Sequence, residues 1–140
     1  MIGIDTNILV YAFDTAYPEK RAKCKNIIEN IFKGKQKGVL TNQILAEFTY
    51  VITRKIEKPL SEEVAKAVMG AILSSENWKV YNYNGETILK SLSKKKSFWD
   101  SLIATTLKEN NVDKIITENV DDFKELDIKI IHPFKDIKII

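Results

Sequence analysis

An α/β fold with a central, mainly parallel sheet is the architecture that this sequence predicts. Short apolar runs rich in Ile, Val and aromatic residues alternate along the chain with longer segments of helical periodicity. Strands that are separated by helices usually pair in parallel, in a sheet that is covered by helices on both faces. A length of 140 residues suits one hydrophobic core, so we expect a single domain over residues 1–140.

Five short apolar runs have the composition of β-strands. They are Met1–Asp5, Gly38–Asn42, Trp78–Tyr83, Lys114–Thr117 and Ile128–His132. Sites in open parallel sheets form beyond the carboxyl ends of the strands, so the residues that follow each run are the candidates for function.

Four longer segments place their apolar residues along one helical stripe. They are Arg21–Phe32, Gln43–Ile56, Glu62–Leu73 and Phe98–Lys108. Two of them fall between the second and third strands, which predicts one longer crossover there.

Composition excludes several classes of function. Charged residues make up 29% of the chain, and no apolar run approaches the roughly 20 residues that span a bilayer. The chain reaches Asp5 without a basic or apolar leader, so we expect a cytoplasmic protein with no membrane contact.

With only Cys24 and His132, an internal disulfide, a structural zinc site and catalysis by a histidine pair are excluded. We expect Cys24 on a helical stripe and a structural role for His132. A net charge of +3 permits binding to a polyanion without requiring it.

Acidic and polar residues follow the predicted strands. Asp5 ends the first strand, Glu47 lies one turn into the helix after the second, and Asp100 opens the helix before the fourth. Asn119 and Asp122 come just after the fourth strand. Two carboxylates at 4 Å repel by about 4 kcal/mol at an effective dielectric of 20, so such a cluster implies either a divalent cation or raised pKa values. Oxygen ligands of this kind favour Mg²⁺ or Mn²⁺.

Each acid also has a structural interpretation. Asp5 is a good N-cap for a helix that begins near residue 7. Asp100 follows Ser97 at capping-box spacing. Glu47 lies near Arg54 on the same helix, so the two side chains are candidates for a salt bridge.

Four segments of the chain, taken in order, resemble the motifs of PIN-domain nucleases, and the likeness is greatest to the VapC-type toxins of prokaryotic toxin–antitoxin pairs. The segments are Asp5–Leu9 (DTNIL), Thr41–Phe48 (TNQILAEF), Trp99–Thr105 (WDSLIAT) and Thr117–Phe123 (TENVDDF). The resemblance spans nearly the whole chain. It implies a three-layer α/β/α fold and Mg²⁺- or Mn²⁺-dependent cleavage of RNA. It also implies a small antitoxin partner and a homodimer, for which residues 52–56 and 64–73 have apolar side chains available.

The resemblance also assigns the site. Asp5, Glu47 and Asp100 match the metal-binding acids of the family. Asn119 and Asp122 share the fourth position, and Asp122 is the preferred carboxylate. The positions that line the site by hydrogen bonding are matched by Thr6, Asn7 and Thr117, together with Asn119. The mechanism implied is attack of a metal-activated water on phosphorus, which expels the ribose 3′ oxygen and leaves a 5′ phosphate.

Two features next to Asp100 bear on how RNA would approach. Lys94–Lys96 is a candidate for phosphate contacts, although a solvated loop explains it equally well. Trp99 is a candidate for base stacking, but its helical spacing from Leu102, Ile103 and Thr106 favours packing in the core.

Two other classes of protein fit the sequence less well than a nuclease. An aspartyl-nucleophile phosphatase would place a second aspartate where Asn7 stands. A dinucleotide-binding domain would need a glycine-rich turn, and Gly3 stands alone. A non-catalytic PIN-like RNA-binding or interaction module and an RNA-processing nuclease remain open. Metal-dependent RNA degradation would separate the first of these from an enzyme.

Overall fold

The computed structural model describes residues 1–92 and 97–135. Its strands are β1 (Ile2–Ile4), β2 (Gly38–Thr41), β3 (Trp78–Tyr81), β4 (Lys114–Ile116) and β5 (Lys129–Ile131). They form one parallel sheet in the order β3-β2-β1-β4-β5. The predicted parallel α/β architecture is confirmed.

Helices connect and cover the strands. They are α1 (Thr6–Tyr11), α2 (Pro18–Phe32), α3 (Asn42–Arg54), α4 (Glu62–Ser74), α5 (Gly85–Ser91), α6 (Phe98–Glu109) and α7 (Val120–Phe123). The long crossover through α3 and α4 is confirmed. Helix α1 contacts α2 and α3, and α3 contacts α4, whereas α6 contacts α5 and α7.

Three short helices fall outside the four predicted helical segments. α1 and α7 are too short to carry an apolar stripe. In α5 the buried side chains are the polar Thr87 and Ser91, whereas Leu89 is exposed. The hydrophobic pattern of α5 is thus inverted, because Thr87 is held by hydrogen bonds to Asn84 and Glu109 (3.1 and 2.6 Å) rather than by apolar packing.

The apolar residues expected at a dimer surface divide into two groups. Ile52 and Ile56 are buried in the core, so core packing accounts for them. Val64 and Leu73 lie exposed on α4. Cys24 is buried on α2, as expected from its spacing.

The strand order places the switch point of the sheet at β1. The chain moves outward from β1 to β2 and β3, and then returns to the other side of β1 to form β4 and β5. Ligands bind where the order reverses, outside the carboxyl ends of the strands. Here those ends lead into Asp5 from β1 and into Thr117 from β4.

No helix in the described parts of the chain is long and apolar enough to cross a membrane.

Candidate active site

Asp5 is the buried acid at the end of β1. Its Oδ1 accepts a hydrogen bond from the backbone N–H of Thr6 (2.8 Å), so Asp5 caps α1 as its structural interpretation requires. Its Oδ2 accepts from the Thr117 hydroxyl (2.7 Å) and from the Asn7 amide (3.4 Å). These donors fix the orientation of the Asp5 carboxylate. Asp5 therefore caps α1 and also remains part of the site.

Thr117 joins β1 to the loop after β4. While its hydroxyl donates to Asp5, the same oxygen accepts from the backbone N–H of Asn119 (3.0 Å). The backbone N–H of Glu118 also donates to the Asn7 side chain (3.5 Å). The residues expected to support the site therefore meet at the switch point of the sheet.

Glu47 reaches the site from α3 together with Gln43. The Gln43 amide nitrogen donates to Glu47 (2.9 Å) and to the backbone carbonyl of Trp99 (3.2 Å), which links α3 to the first turn of α6. Arg54 instead contacts Thr53 and the Tyr50 ring, and within the described residues it forms no ion pair with Glu47. The alternative interpretation of Glu47, a salt bridge with Arg54 on the same helix, is therefore wrong.

These elements enclose a cavity of about 380 Å³. Three of the four predicted acids line it. The full lining is Asp5, Thr6, Asn7, Val10, Tyr11, Gln43, Glu47, Val51, Trp99, Asp100, Ile103 and Asn119.

Burial and like charge together raise the pKa values of two acids here. For Asp5, burial is the largest cause of the rise, and the charges of Glu47 and Asp122 add to it, against hydrogen bonds from Thr117 and Thr6 that lower the pKa. For Asp100, burial and then the charges of Asp122, Asp5 and Glu47 raise the pKa to about 6. The four acids thus share one electrostatic environment.

The fourth acid position is divided between two residues. Asn119 lines the acidic cavity, whereas Asp122 lines a neighbouring cavity of about 670 Å³ that also contains Asn119. The charge of Asp122 nevertheless raises the pKa of Asp100 more than the charge of Asp5 or Glu47 does. The Asp122 charge reaches the site although its side chain faces the adjoining space.

The oxygen atoms of the cavity lining are potential ligands for a divalent cation. In the part of the chain that the structure describes, no three His, Cys, Asp or Glu side chains lie close enough together to hold a metal ion. Thr6 Oγ1 and Gln43 Oε1, both in the lining of the acidic cavity, are buried without a hydrogen-bond partner. Carboxylates and unpaired buried oxygens around one cavity are the ligand type that a hard cation takes, so the chemistry of the donor set fits Mg²⁺ or Mn²⁺, although the acids line the cavity without forming a close group.

A second polar cluster beside the site was missed by sequence reasoning. The Glu118 carboxylate accepts hydrogen bonds from Tyr11 and Lys20, both at 2.6 Å. The Lys20 ammonium also lies over the Tyr11, Tyr17 and Phe134 rings. Hydrogen bonds from Lys20 and Tyr11 outweigh burial and lower the pKa of Glu118. The cluster joins residues about a hundred positions apart, so no local pattern signals it.

Four expectations concern residues other than the four acids. Trp99 was expected in the core, which is wrong, because 59% of its surface is exposed and it lines the acidic cavity. Ser97 makes no side-chain capping hydrogen bond to the α6 backbone, but a side-chain hydrogen bond between Ser97 and Asp100 lowers the pKa of Asp100 against the effect of burial. His132 Nδ1 accepts from the backbone N–H of Phe134 (3.1 Å), in keeping with a structural role. Lys94–Lys96 lies outside the described residues.

Comparison with known proteins gives one family and a consistent fold. Residues 2–129 match the PIN domain. Ribonuclease VapC24 of Mycobacterium tuberculosis is 28% identical over 135 residues, which cover 89% of this chain and 90% of that protein. FitAB bound to an IR36 DNA fragment superposes with a TM-score of 0.69 at 16% identity, covering 96% of each chain. VapBC2 from Rickettsia felis, bound to a DNA fragment from their promoter, has a TM-score of 0.61 at 19% identity, covering 94% of this chain and 98% of that one. At such identities the two structures show the fold.

Proposed function

This chain belongs to the PIN domain family, and on that premise we propose that it is an endoribonuclease that cleaves RNA with a divalent cation held in its acidic cavity. The observation that carries the proposal is that Asp5, Glu47 and Asp100 line one cavity, although they lie far apart in the sequence. The similarity to a ribonuclease over most of the chain supports RNA as the substrate.

The acids divide the work according to their surroundings. Asp5 is held by Thr6 and Thr117, so it offers a fixed carboxylate to the cation. Burial and neighbouring acids raise the pKa of Asp100 to about 6, so it is mostly ionised at neutral pH, and a bound cation would favour the ionised form further. Glu47 and Asp122 complete the anionic site. When bound, Mg²⁺ or Mn²⁺ acidifies a water for attack and offsets negative charge on the phosphate.

The expected products follow from in-line attack. The bond between phosphorus and the ribose 3′ oxygen breaks, which leaves a 5′ phosphate on one fragment and a 3′ hydroxyl on the other. None of these steps requires a histidine, in keeping with the structural role of His132.

Replacement of the acids tests the proposal. In Asp5→Asn, Glu47→Gln and Asp100→Asn we expect RNA cleavage with Mg²⁺ or Mn²⁺ to fall at least a hundredfold while circular dichroism shows a folded protein. EDTA should stop cleavage by the wild type, and excess cation should restore it. Glu62→Gln is the matched control, because Glu62 is an exposed acid on α4.

Two results would contradict the proposal. Full activity in Asp5→Asn or Asp100→Asn would remove that acid from the mechanism. RNA that stays intact with the wild type in the presence of either cation would favour a non-catalytic binding module.

We also propose a cellular context for the enzyme. It acts in the cytoplasm as the toxin of a toxin–antitoxin pair, with a small partner protein encoded beside it. The similarity to Ribonuclease VapC24 and to the VapBC2 fold supports this role over RNA processing. Growth arrest on expression, relieved by co-expression of the neighbouring gene, is the expected result. Arrest that the neighbour does not relieve would favour RNA processing.

We propose that the protein is a homodimer. An apolar groove of about 570 Å³ between α3, α4 and β3 supports this, since its lining includes the exposed Tyr50 and Leu73.

A further inference from the structure

Trp99 occupies a position that fold stability does not explain. It is 59% exposed, whereas Trp78, the other tryptophan, is 4% exposed and packs in the core. Trp99 lies on the first turn of α6 and lines the same cavity as Asp5 and Asp100. A large aromatic side chain left in solvent at the edge of a polar cavity is a feature of surfaces that bind ligands.

The surroundings of Trp99 fix its backbone and leave room for a stacked partner. Its carbonyl accepts a hydrogen bond from Gln43, whose amide also donates to Glu47, so the residue is tied to the acidic site. The Phe98 ring lies 5.3 Å away at 75°, which is an edge contact. Among the described residues no ring stacks in parallel on Trp99.

The charge of the cavity explains why a neutral contact would be needed. Three acids line it, and an RNA backbone that approaches them is repelled unless a cation is bound. Stacking of a base on an indole ring adds affinity for RNA without requiring a charged side chain. Single-stranded RNA is the substrate form whose bases are free to stack in this way.

We propose that Trp99 is a stacking platform for the base of an RNA nucleotide next to the scissile phosphate. This inference rests on the proposed ribonuclease function and names the substrate form, unpaired RNA, that the site prefers. Trp99 is a substrate-binding residue whose stacked base holds the RNA strand at the cavity that Asp5 and Asp100 line.

The test measures RNA binding and cleavage separately. In an Asp5→Asn background, Trp99→Ala should raise the Kd for single-stranded RNA by roughly ten- to a hundredfold, and Trp99→Phe should raise it by no more than about threefold. In the active protein, Trp99→Ala should raise KM and leave kcat within about twofold. Leu89→Ala is the matched control, because Leu89 is 68% exposed on α5 and does not line the cavity.

Two further readouts separate stacking from other roles. Loss of a phosphate contact would flatten the slope of log Kd against log salt, whereas loss of stacking should leave that slope unchanged. RNA should quench tryptophan fluorescence in the Asp5→Asn protein and much less in Asp5→Asn/Trp99→Phe, because the remaining Trp78 is buried.

The failures of the two proposals are distinguishable. An unchanged Kd and KM in Trp99→Ala, with EDTA-sensitive cleavage retained, overturns the stacking role and leaves the nuclease intact. A Trp99→Ala variant that binds RNA normally but self-associates less in sedimentation likewise overturns it, and assigns the ring to a protein interface. Absence of cleavage by the wild type contradicts the proposed function.

Discussion

At the scale of single residues, the ionised side chain of Asp100 destabilises the folded protein. Burial and the charges of Asp5, Glu47 and Asp122 raise its pKa from 3.8 to about 6, so its ionised form is disfavoured in the folded protein. A raised acid pKa stabilises the fold below about pH 4, and that contribution is lost as the pH rises towards 6. The clustered acids thus lower the free energy of unfolding near neutral pH, which is expected of a site that binds a cation.

Asp100→Asn should therefore stabilise the protein at neutral pH in EDTA. We expect a gain of about 1 kcal/mol in the free energy of unfolding at pH 7.5, after allowing for solvent screening of a partly exposed group. The gain should shrink as the pH falls from 6 to 4, where the wild-type carboxyl is protonated. Urea denaturation at several pH values measures it, with Asp113→Asn as an exposed aspartate control. Equal stabilities of wild type and Asp100→Asn at pH 7.5 would contradict the conclusion that burial and the other three acids disfavour ionised Asp100.

The sequence could predict the acids because strand ends and charge patterns are local features. Asp5 follows a recognisable strand, Glu47 lies in the second turn of one recognisable helix, and Asp100 lies in the first turn of another. The role of Gln43 could not be predicted, because one of its partners, the Trp99 carbonyl, lies 56 positions away. The exposure of Trp99 could not be predicted for a similar reason. Helical periodicity identifies the apolar stripe of α6 but not which end of that stripe extends beyond the hydrophobic core.

At the scale of elements, close packing of α6 on β1 brings two of the acids together. Gly3 lies at the centre of the sheet, and a Cβ there would lie 2.7 Å from a Leu107 methyl and 3.2 Å from the Lys114 carbonyl oxygen. Glycine thus lets α6 approach the central strand, and α6 carries Asp100 at its start. The sequence pattern predicted both elements but not this contact, which depends on tertiary packing.

Gly3→Ala should weaken that packing. We expect a loss of about 1–3 kcal/mol in the free energy of unfolding, because the Leu107 side chain is fully buried and the Lys114 carbonyl belongs to the sheet. Cleavage should fall as α6 shifts relative to Asp5. Gly70→Ala is the control, because nothing lies within 4 Å of a Cβ at that helical position, and it should stabilise the protein by up to about 1 kcal/mol. If Gly3→Ala proves as stable as the wild type, the sheet tolerates the extra methyl and close approach is not what positions α6.

At the scale of the whole molecule, the site and the proposed dimer surface occupy different parts of the fold. The acidic cavity lies at the switch point between β1 and β4, whereas the apolar groove lies beside the edge strand β3. An edge strand flanked by exposed apolar side chains is a liability for a monomer, and pairing with a second copy would cover it. A substitution that separates the two protomers should therefore leave the acidic cavity intact.

Leu73→Asp tests the dimer. Leu73 is 59% exposed on α4 and lines the groove, so a carboxylate there would have to be buried without a partner at the interface. We expect the wild type to sediment as a dimer and the variant as a folded monomer that still binds Mn²⁺. Leu89→Asp places the same charge on α5, where Ile88, Leu89 and Leu92 form a competing exposed apolar surface. A dimer that survives Leu73→Asp but dissociates in Leu89→Asp would move the interface to α5, and a monomeric wild type would remove the dimer altogether.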